Sequence, residues 1–143
     1  MNIAIVGTGY VGLVSGACFA EFGTRVTCID IDARKIDALR RGEIPIYEPG
    51  LDRLVARNVA AGRLRFTTDL AEAVRENLVL FIAVGTPQDP HGRADLSSVM
   101  AVAGQIAEYI DGYKVVVTKS TVPVGTGDRV EALIREKIGG RHP

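Results

Sequence analysis

Met1-Asn-Ile-Ala-Ile-Val-Gly7-Thr-Gly9-Tyr-Val-Gly12 is the stretch of sequence that decides the fold of this chain. A short apolar run leads into three glycines spaced Gly-x-Gly-x-x-Gly, and a second apolar stretch follows them. This pattern predicts a buried strand, a tight turn and a helix. Gly7 permits the turn, Gly9 lets a ligand approach the backbone, and Gly12 lets the helix pack closely.

An acidic residue follows this turn at a characteristic distance. Residues 25–30 read as a second strand that ends at Asp30, 18 residues after Gly12. A carboxylate at that point can accept hydrogen bonds from both hydroxyls of a ribose, and a helix N-terminus attracts phosphates. The combination predicts a dinucleotide site, whose first residues are Gly7, Gly9, Tyr10, Val11, Gly12 and Asp30.

Residues 1–20 contain no charged residue, a feature shared with signal peptides and membrane spans. Four glycines argue against a span, and the start lacks the basic residues of a signal peptide. Gly12, Gly16 and Ala20 recur every four residues, which predicts a small-residue face packed on a sheet. We therefore expect a soluble, cytoplasmic domain without a membrane partner.

Composition supports a single globular domain. The chain has 143 residues, of which 47% are hydrophobic and 24% charged, and its 17 basic and 17 acidic residues give zero net charge. This length is sufficient for one buried core. No basic run is present, so nothing favours binding to nucleic acid.

The cysteines and histidines do not suggest metal binding. Cys18 falls on the first helix and Cys28 on the second strand, and we expect both to be reduced core residues. His91 falls in a loop and His142 at the terminus, so no metal site is predicted.

Strands and helices alternate along the chain, which predicts an α/β fold: a doubly wound parallel sheet, the Rossmann fold. The apolar run 78–84 predicts a central strand covered on both faces. The predicted strands are 2–6, 25–30, 64–67, 78–84 and 114–119. The predicted helices are 11–22, one capped by Asp32 and ending at Gly42, one from Leu51 to Gly62, 69–75, one capped by Asp95 and 126–138. In the helix capped by Asp95, the residues predicted to face inward are Leu96, Val99, Ala103, Ile106 and Ile110.

Five strands are one fewer than a doubly wound dinucleotide domain usually has. The last predicted helix ends close to Pro143, where the next element would be a strand. We therefore expect a sixth strand beyond the C-terminus and interpret the chain as part of a longer polypeptide. A natural five-stranded domain is the alternative.

Four further segments resemble one enzyme family. Together with the glycine turn, and over essentially the whole chain, they resemble the NAD-binding domain of the UDP-glucose/GDP-mannose dehydrogenases. The segments are Ile44-Pro-Ile-Tyr-Glu-Pro-Gly-Leu51, Gly62-Arg-Leu-Arg-Phe-Thr-Thr-Asp69, Val84-Gly-Thr-Pro87 and Lys119-Ser-Thr-Val-Pro-Val-Gly-Thr126. The GDP-mannose branch differs before Glu-Pro-Gly and has Leu-Pro where this chain has Val122-Pro123, so the resemblance is to the UDP-glucose branch.

The resemblance implies an enzyme that oxidises the C6 alcohol of UDP-glucose to the carboxylate of UDP-glucuronate in two NAD+-dependent steps. Residues 1–143 would be its NAD-binding domain. A central dimerising region and a UDP-binding domain would lie outside the chain, in a parent that is a homodimer or larger. The family's Gly-Gly-x-Cys nucleophile and Pro-Glu-Phe-Leu acid are absent here, and neither Cys18 nor Cys28 matches the nucleophile. We therefore expect the 143-residue chain alone to be inactive and to leave most contacts with UDP-glucose to the absent domains.

The resemblance also implies roles for individual residues. Asp30 would bind the adenosine ribose with Lys35 beside it, although a cation is disfavoured in the first turn of a helix. Gly85, Thr86 and Pro87 would contact the middle of the cofactor. Thr121 would lie near the nicotinamide and help to hold an active-site water, a positioning role in catalysis.

Tyr47 and Glu48 have residue types suited to acid–base chemistry, but Pro49 and Gly50 beside them favour a helix entry. Two other classes of protein also remain open. A regulatory NAD-binding module shares the glycine turn and the acid without catalysis. A methyltransferase that uses S-adenosylmethionine also holds a ribose with an acid after its second strand, but it usually has an acid before the glycines, and Asn2–Val6 has none.

Overall fold

The structure is a computed structural model that describes residues 1–141, so His142 lies outside the described part. Strands and helices alternate in the predicted order. The strands are β1 (Asn2–Val6), β2 (Arg25–Ile29), β3 (Leu64–Thr67), β4 (Val79–Ile82) and β5 (Val115–Thr118). The helices are α1 (Tyr10–Glu21), α2 (Ala33–Arg40), α3 (Leu51–Ala60), α4 (Leu70–Glu76), α5 (Ser97–Tyr109) and α6 (Thr126–Ile138).

The five strands form one parallel sheet in the order β3-β2-β1-β4-β5. In its register, Ala4 of β1 pairs with Thr27 of β2 on one side and with Leu80 of β4 on the other. The strand order reverses between β1 and β4, since the chain passes from β3 at one edge back to β4 beside β1. Ligands bind at such a reversal in open α/β sheets. The predicted fold class is confirmed for the five strands present, and the sixth strand stays a prediction.

Helices cover the sheet on both faces, and each face has its own core. Ile3, Ile5 and Cys28 pack against α1, α2 and α3, whereas Leu80 and Ile82 pack against α4, α5 and α6. Alternate residues of one strand point to opposite faces, which is how β1 contributes to both cores.

The small-residue face of α1 is confirmed. Gly12, Gly16 and Ala20 are buried, and a Cβ on Gly16 would lie 2.7 Å from the Cys28 Sγ atom. The helix therefore lies against β2 at a distance that larger residues would prevent. Within residues 1–141, no helix is both long and apolar enough to cross a membrane.

Side chains cap two helices, and the sequence predicts the first of these caps. Asp32 accepts hydrogen bonds from the N–H groups of Arg34 and Lys35 at the start of α2, and Asp69 accepts one from Glu72 at the start of α4. The predicted cap at Asp95 is wrong by one residue, because Leu96 is the capping residue of α5 and is only half-buried. Asp95 instead accepts the Ser97 N–H at 2.9 Å and donates its own N–H to Pro87, which holds it in the preceding loop.

The prediction that residues 78–84 are covered on both faces is only partly correct. Leu80 and Ile82 are fully buried, but Val79 and Phe81 are half-buried and Leu78 is 44% exposed. Helices α1, α2 and α3 lie over β1, β2 and β3, which leaves this face of β4 and β5 partly open. The two strands are also shorter than the predicted 78–84 and 114–119.

The predicted burial of both cysteines is wrong for Cys18. Cys28 is fully buried, and this burial raises the pKa of its thiol to about 12. Cys18 is exposed because it lies seven residues, nearly two full turns, after the exposed Val11 and therefore on the outer face of α1.

Candidate dinucleotide-binding site

The site lies along the edge of the sheet where the parallel strands end. The glycine turn follows β1, Asp30 follows β2, residues 83–87 follow β4, and residues 119–121 follow β5. Because these strands are parallel neighbours, their loops gather at one edge although they are far apart in sequence. The structure therefore brings the predicted site residues of all four segments to the same edge.

Two of the three glycines are required by the packing of the turn itself. Gly7 has a φ of +113°, and a Cβ there would lie 2.5 Å from the Ala83 carbonyl oxygen. A Cβ on Gly12 would lie 1.9 Å from the Gly7 carbonyl oxygen. Gly12 therefore lets α1 pack closely, as predicted, and the nearest atoms to it are those of the Gly7 carbonyl in the turn.

The N-terminus of α1 is suited to an anion. Gly9 is its capping residue, no side chain caps it, and its first turn has no acidic residue. A Cβ on Gly9 would meet nothing within 4 Å, so the space above this residue is open. Tyr10 and Val11, the first two helical residues, are exposed there. Backbone N–H groups and the helix dipole favour a phosphate at such a position.

The carboxylate of Asp30 is held by three hydrogen bonds. Its Oδ2 accepts from the Thr8 hydroxyl at 2.7 Å and from the Thr8 N–H at 3.1 Å, and its Oδ1 accepts from the Asp32 N–H at 3.0 Å. Thr8 is only 2% exposed. The acid and the glycine turn are therefore one connected unit.

These contacts keep Asp30 ionised. Partial burial raises the pKa of the carboxyl, but the hydrogen bonds from Asp32 and Thr8, together with the charge of Lys35, hold it below its usual value. Lys35 is close enough to lower the pKa of Asp30, and its role at a ribose stays a prediction. The site thus offers an anionic acceptor next to a helix N-terminus.

The ends of β4 and β5 are joined by side-chain hydrogen bonds. The Thr86 hydroxyl donates to the Thr121 carbonyl at 2.8 Å, and the Ser120 hydroxyl donates to the Val84 carbonyl at 2.7 Å. Thr121 lies three residues after β5 and is exposed. The loop bends there because the N–H groups of both Lys119 and Ser120 donate to the Ile82 carbonyl.

The segment before α3 forms the predicted helix entry. The carbonyl of Glu48 accepts the Leu51 N–H at 3.0 Å, and Tyr47 is 92% exposed. The Glu48 carboxylate also accepts a hydrogen bond of 2.7 Å from the Tyr10 hydroxyl, which raises the pKa of Tyr10. This contact links the segment to the first residue of α1.

Sequence reasoning missed Thr8, Ser120 and the pairing of Tyr10 with Glu48. Thr8 had a usable signal, because it lies inside the glycine turn and the ends of adjacent parallel strands meet at one edge. The other contacts depend on loop paths that no local pattern reveals. Among residues 1–141, no group of three or more His, Cys, Asp and Glu side chains is placed to hold a metal ion.

Comparison with known proteins agrees with this geometry. Residues 1–142 match the NAD-binding domain of the UDP-glucose/GDP-mannose dehydrogenase family. The chain belongs to this family. The domain's cofactor is therefore NAD, and this finding excludes the methyltransferase alternative.

Individual members of the family are similar along nearly the whole chain. The UDP-glucose 6-dehydrogenase of Rhizobium meliloti is 63% identical over 137 residues, which are 95% of this chain and 31% of that protein. A UDP-glucose dehydrogenase structure from Pyrobaculum islandicum has a TM-score of 0.90 at 40% identity, and covers 97% of this chain and 33% of its own. A GDP-mannose dehydrogenase structure from Pseudomonas aeruginosa has a TM-score of 0.93 at 39% identity, with the same coverage. The chain thus spans about a third of the length of these relatives.

Proposed function

We propose that this chain is the NAD-binding domain of a longer enzyme that oxidises UDP-glucose to UDP-glucuronate in two NAD+-dependent steps. The observation that carries the proposal is the alignment, along one sheet edge, of an uncapped helix N-terminus, the Asp30 carboxylate and the Thr86–Thr121 contact. Together they provide one place for a pyrophosphate, one for a ribose and one for the reacting end of the cofactor.

In this proposal each part of the edge binds one part of NAD. The glycine turn and the backbone of Tyr10 and Val11 bind the pyrophosphate, and Asp30 with Lys35 binds the adenosine ribose. Gly85, Thr86 and Pro87 contact the middle of the cofactor, and Thr121 positions groups near the nicotinamide. The nicotinamide accepts hydride when bound, and the chain's own residues orient it.

Neither cysteine of the chain is placed to act as the catalytic nucleophile at this edge. Cys28 is buried in the core, where its raised pKa keeps it a thiol. Cys18 lies eight residues into α1, about 12 Å along the helix from its N-terminus. We therefore propose that the nucleophile and the acid belong to other domains of the longer enzyme, and that this chain binds NAD+ without turnover.

The identity of the sugar rests on sequence rather than on shape. The fold is as similar to the GDP-mannose dehydrogenase, with a TM-score of 0.93, as to the UDP-glucose dehydrogenase, with 0.90. The 63% identity to a UDP-glucose 6-dehydrogenase favours UDP-glucose. A GDP-mannose-type enzyme is the second candidate because of that structural similarity.

We also propose that residues 1–143 form one domain whose sheet gains a sixth strand in the longer protein. β5 is the last strand of the sheet, and an apolar groove lined by Val116, Val130 and Ile134 runs between it and α6. The central dimerising region and the UDP-binding domain would follow. This agrees with a chain that spans 31% of its Rhizobium meliloti relative.

Calorimetric titration of the 143-residue chain with NAD+ tests the cofactor site, with Asp30→Ala as the matched variant. We expect weak binding by the wild type and its loss in the variant, and equal binding by both would contradict the site. For the substrate, NADH production by the longer enzyme with UDP-glucose and with GDP-mannose separates the two candidates. NADH production from UDP-glucose by the 143-residue chain alone would overturn the assignment of the nucleophile to other domains.

A further inference from the structure

The buried threonine of the glycine turn is not explained by the general requirements of such a turn. Gly7 and Gly9 on either side of Thr8 are needed for the tight turn and for open space, but position 8 has no such requirement. Yet Thr8 is 2% exposed in a loop at the surface edge of the sheet. A buried hydroxyl needs a hydrogen-bond partner, and this one has the Asp30 carboxylate at 2.7 Å.

Thr8 and Asp32 restrain the carboxylate from two sides. An ionised carboxylate has about four lone-pair sites, and three donors already occupy sites here. Two of the donors, the hydroxyl and the N–H, belong to Thr8 and share Oδ2. The side chain of Asp30 therefore cannot rotate without breaking contacts to both the glycine turn and the start of α2, and the remaining acceptor capacity is mainly on Oδ1.

We propose that Thr8 is a positioning residue that sets the affinity of this site for NAD by fixing the Asp30 carboxylate, an inference that rests on the proposed role of Asp30 at the adenosine ribose. A carboxylate that is already oriented loses less conformational freedom when a ribose hydroxyl donates to the remaining acceptor site on Oδ1. Because Thr8 also belongs to the glycine turn, it keeps the ribose acceptor in register with the pyrophosphate position.

The ionisation of Asp30 supports this role. The side-chain and backbone hydrogen bonds from Thr8 are among the contacts that lower the pKa of Asp30 against the effect of its burial. Lys35 of α2 acts in the same direction, while the Asp32 carboxylate is directed to the N–H groups of Arg34 and Lys35. Removal of the Thr8 hydroxyl should therefore make Asp30 easier to protonate as well as more mobile.

Three variants of the 143-residue chain test the proposal by calorimetric titration with NAD+. Thr8→Val removes the hydroxyl at nearly constant side-chain shape, whereas Thr8→Ser keeps a hydroxyl at this position. Thr27→Val is the matched control. Thr27, on β2, is also a buried threonine, but its hydroxyl accepts a hydrogen bond of 2.9 Å from Arg65 Nε and does not contact Asp30. We expect Thr8→Val to bind about tenfold more weakly, Thr8→Ser to bind like the wild type, and Thr27→Val to leave the affinity unchanged.

A pH profile, taken only over the range in which circular dichroism shows each variant to be folded, provides a readout that loss of packing would not move. NAD binding requires the ionised form of Asp30, so it should disappear as the pH falls through the pKa of this group. Thr8→Val should lose binding at a higher pH than the wild type, and Thr8→Ser should not. If Thr8→Val fails to fold, Thr8→Ala replaces it in both measurements.

The outcomes separate this inference from the proposed function. If the wild type does not bind NAD+, or if Asp30→Ala binds as well as the wild type, the proposed role of Asp30 is wrong. If Asp30→Ala loses binding but Thr8→Val keeps both the wild-type affinity and its pH profile, Thr8 is not a positioning residue. Tighter binding by Thr8→Val would also overturn the proposal, because it would mean that the hydroxyl competes with the ribose.

Discussion

Gly12 lies directly against the carbonyl of Gly7, so that a Cβ on Gly12 would stand 1.9 Å from the oxygen and 2.9 Å from the carbonyl carbon. Both atoms belong to the backbone and cannot move aside without opening the turn. A Cβ on Gly9, two residues after Gly7, would meet nothing within 4 Å. The lack of a side chain at Gly12 is therefore required for packing, whereas the lack of a side chain at Gly9 leaves space for a ligand.

This difference predicts opposite effects for two alanine substitutions. Gly12→Ala should destabilise the chain by about 3 kcal/mol or more, since the new methyl group overlaps backbone atoms. Gly9→Ala should cost about 1 kcal/mol or less as a change of helix cap, yet weaken NAD+ binding more than about tenfold. Chemical denaturation and titration with NAD+ measure both effects. A stable Gly12→Ala variant, or normal binding by Gly9→Ala, would contradict this assignment.

Asp30 should make the site select NAD+ over NADP+. The 2′-phosphate of NADP+ carries about two negative charges and would meet the ionised carboxylate in place of a hydroxyl donor. We expect discrimination of about a hundredfold or more in the wild type and its loss in Asp30→Ala. Arg34 and Lys35 in the first turn of α2 would attract the phosphate and so reduce this discrimination. Because their side chains are long and exposed, we expect Asp30 to dominate. Equal affinities of the wild type for the two cofactors would show that these cations dominate.

The lowered pKa of Asp30 predicts a contribution to stability that acid removes. Because the pKa is lower in the folded chain than its ordinary value of 3.8, the contribution is fully present above that value. It is lost as the pH falls below about 4 and through the folded pKa. The midpoint of thermal unfolding, followed from neutral pH into acid, should therefore fall more steeply for the wild type than for Asp30→Asn. Glu136→Gln, on the exposed side of α6, controls for the removal of a carboxylate, and parallel curves for wild type and Asp30→Asn would refute the prediction.

The two cysteines should differ in their reactivity. Cys18 is exposed and should react with a small alkylating agent in the native chain, whereas Cys28 is fully buried with a pKa near 12. We expect one label per native chain and two after unfolding in denaturant, measured by intact mass. Cys18→Ser should abolish native labelling, and rapid labelling of that variant would mean that Cys28 is accessible.

Thr86 and Thr121 are in contact but should have separable roles. The hydroxyl of Thr86 donates to the backbone carbonyl of Thr121, so Thr121→Ala keeps this hydrogen bond and Thr86→Val removes it. Thr86→Val should lower the stability of the chain by about 1 kcal/mol, and Thr121→Ala should leave it nearly unchanged. In the longer enzyme, Thr121→Ala should reduce turnover because it alters the proposed positioning near the nicotinamide. A large loss of stability in Thr121→Ala with normal turnover would reverse the two roles.

Local sequence patterns correctly predicted the order of the elements. The apolar run 2–6, the glycine turn and the capping residue Asp32 act within a few residues of themselves, so each could be identified without knowledge of the rest of the chain. The errors fell where an element's extent or orientation depends on its neighbours. The partial exposure of Phe81 reflects which strands the helices cover, and the start of α5 reflects the contact between Asp95 and Pro87.

The sequence by itself determined that a glycine turn, an acid after the second strand and two threonine-containing loops would lie at one sheet edge, because parallel strands place their C-terminal ends together. Only the tertiary structure decided which of these groups touch. The contacts Thr8–Asp30, Thr86–Thr121 and Tyr10–Glu48 join residues that are 22, 35 and 38 positions apart. A hydrogen bond across such a separation requires side chains to meet within about 3 Å. That precision comes from strand register and from the packing of α1 on the sheet.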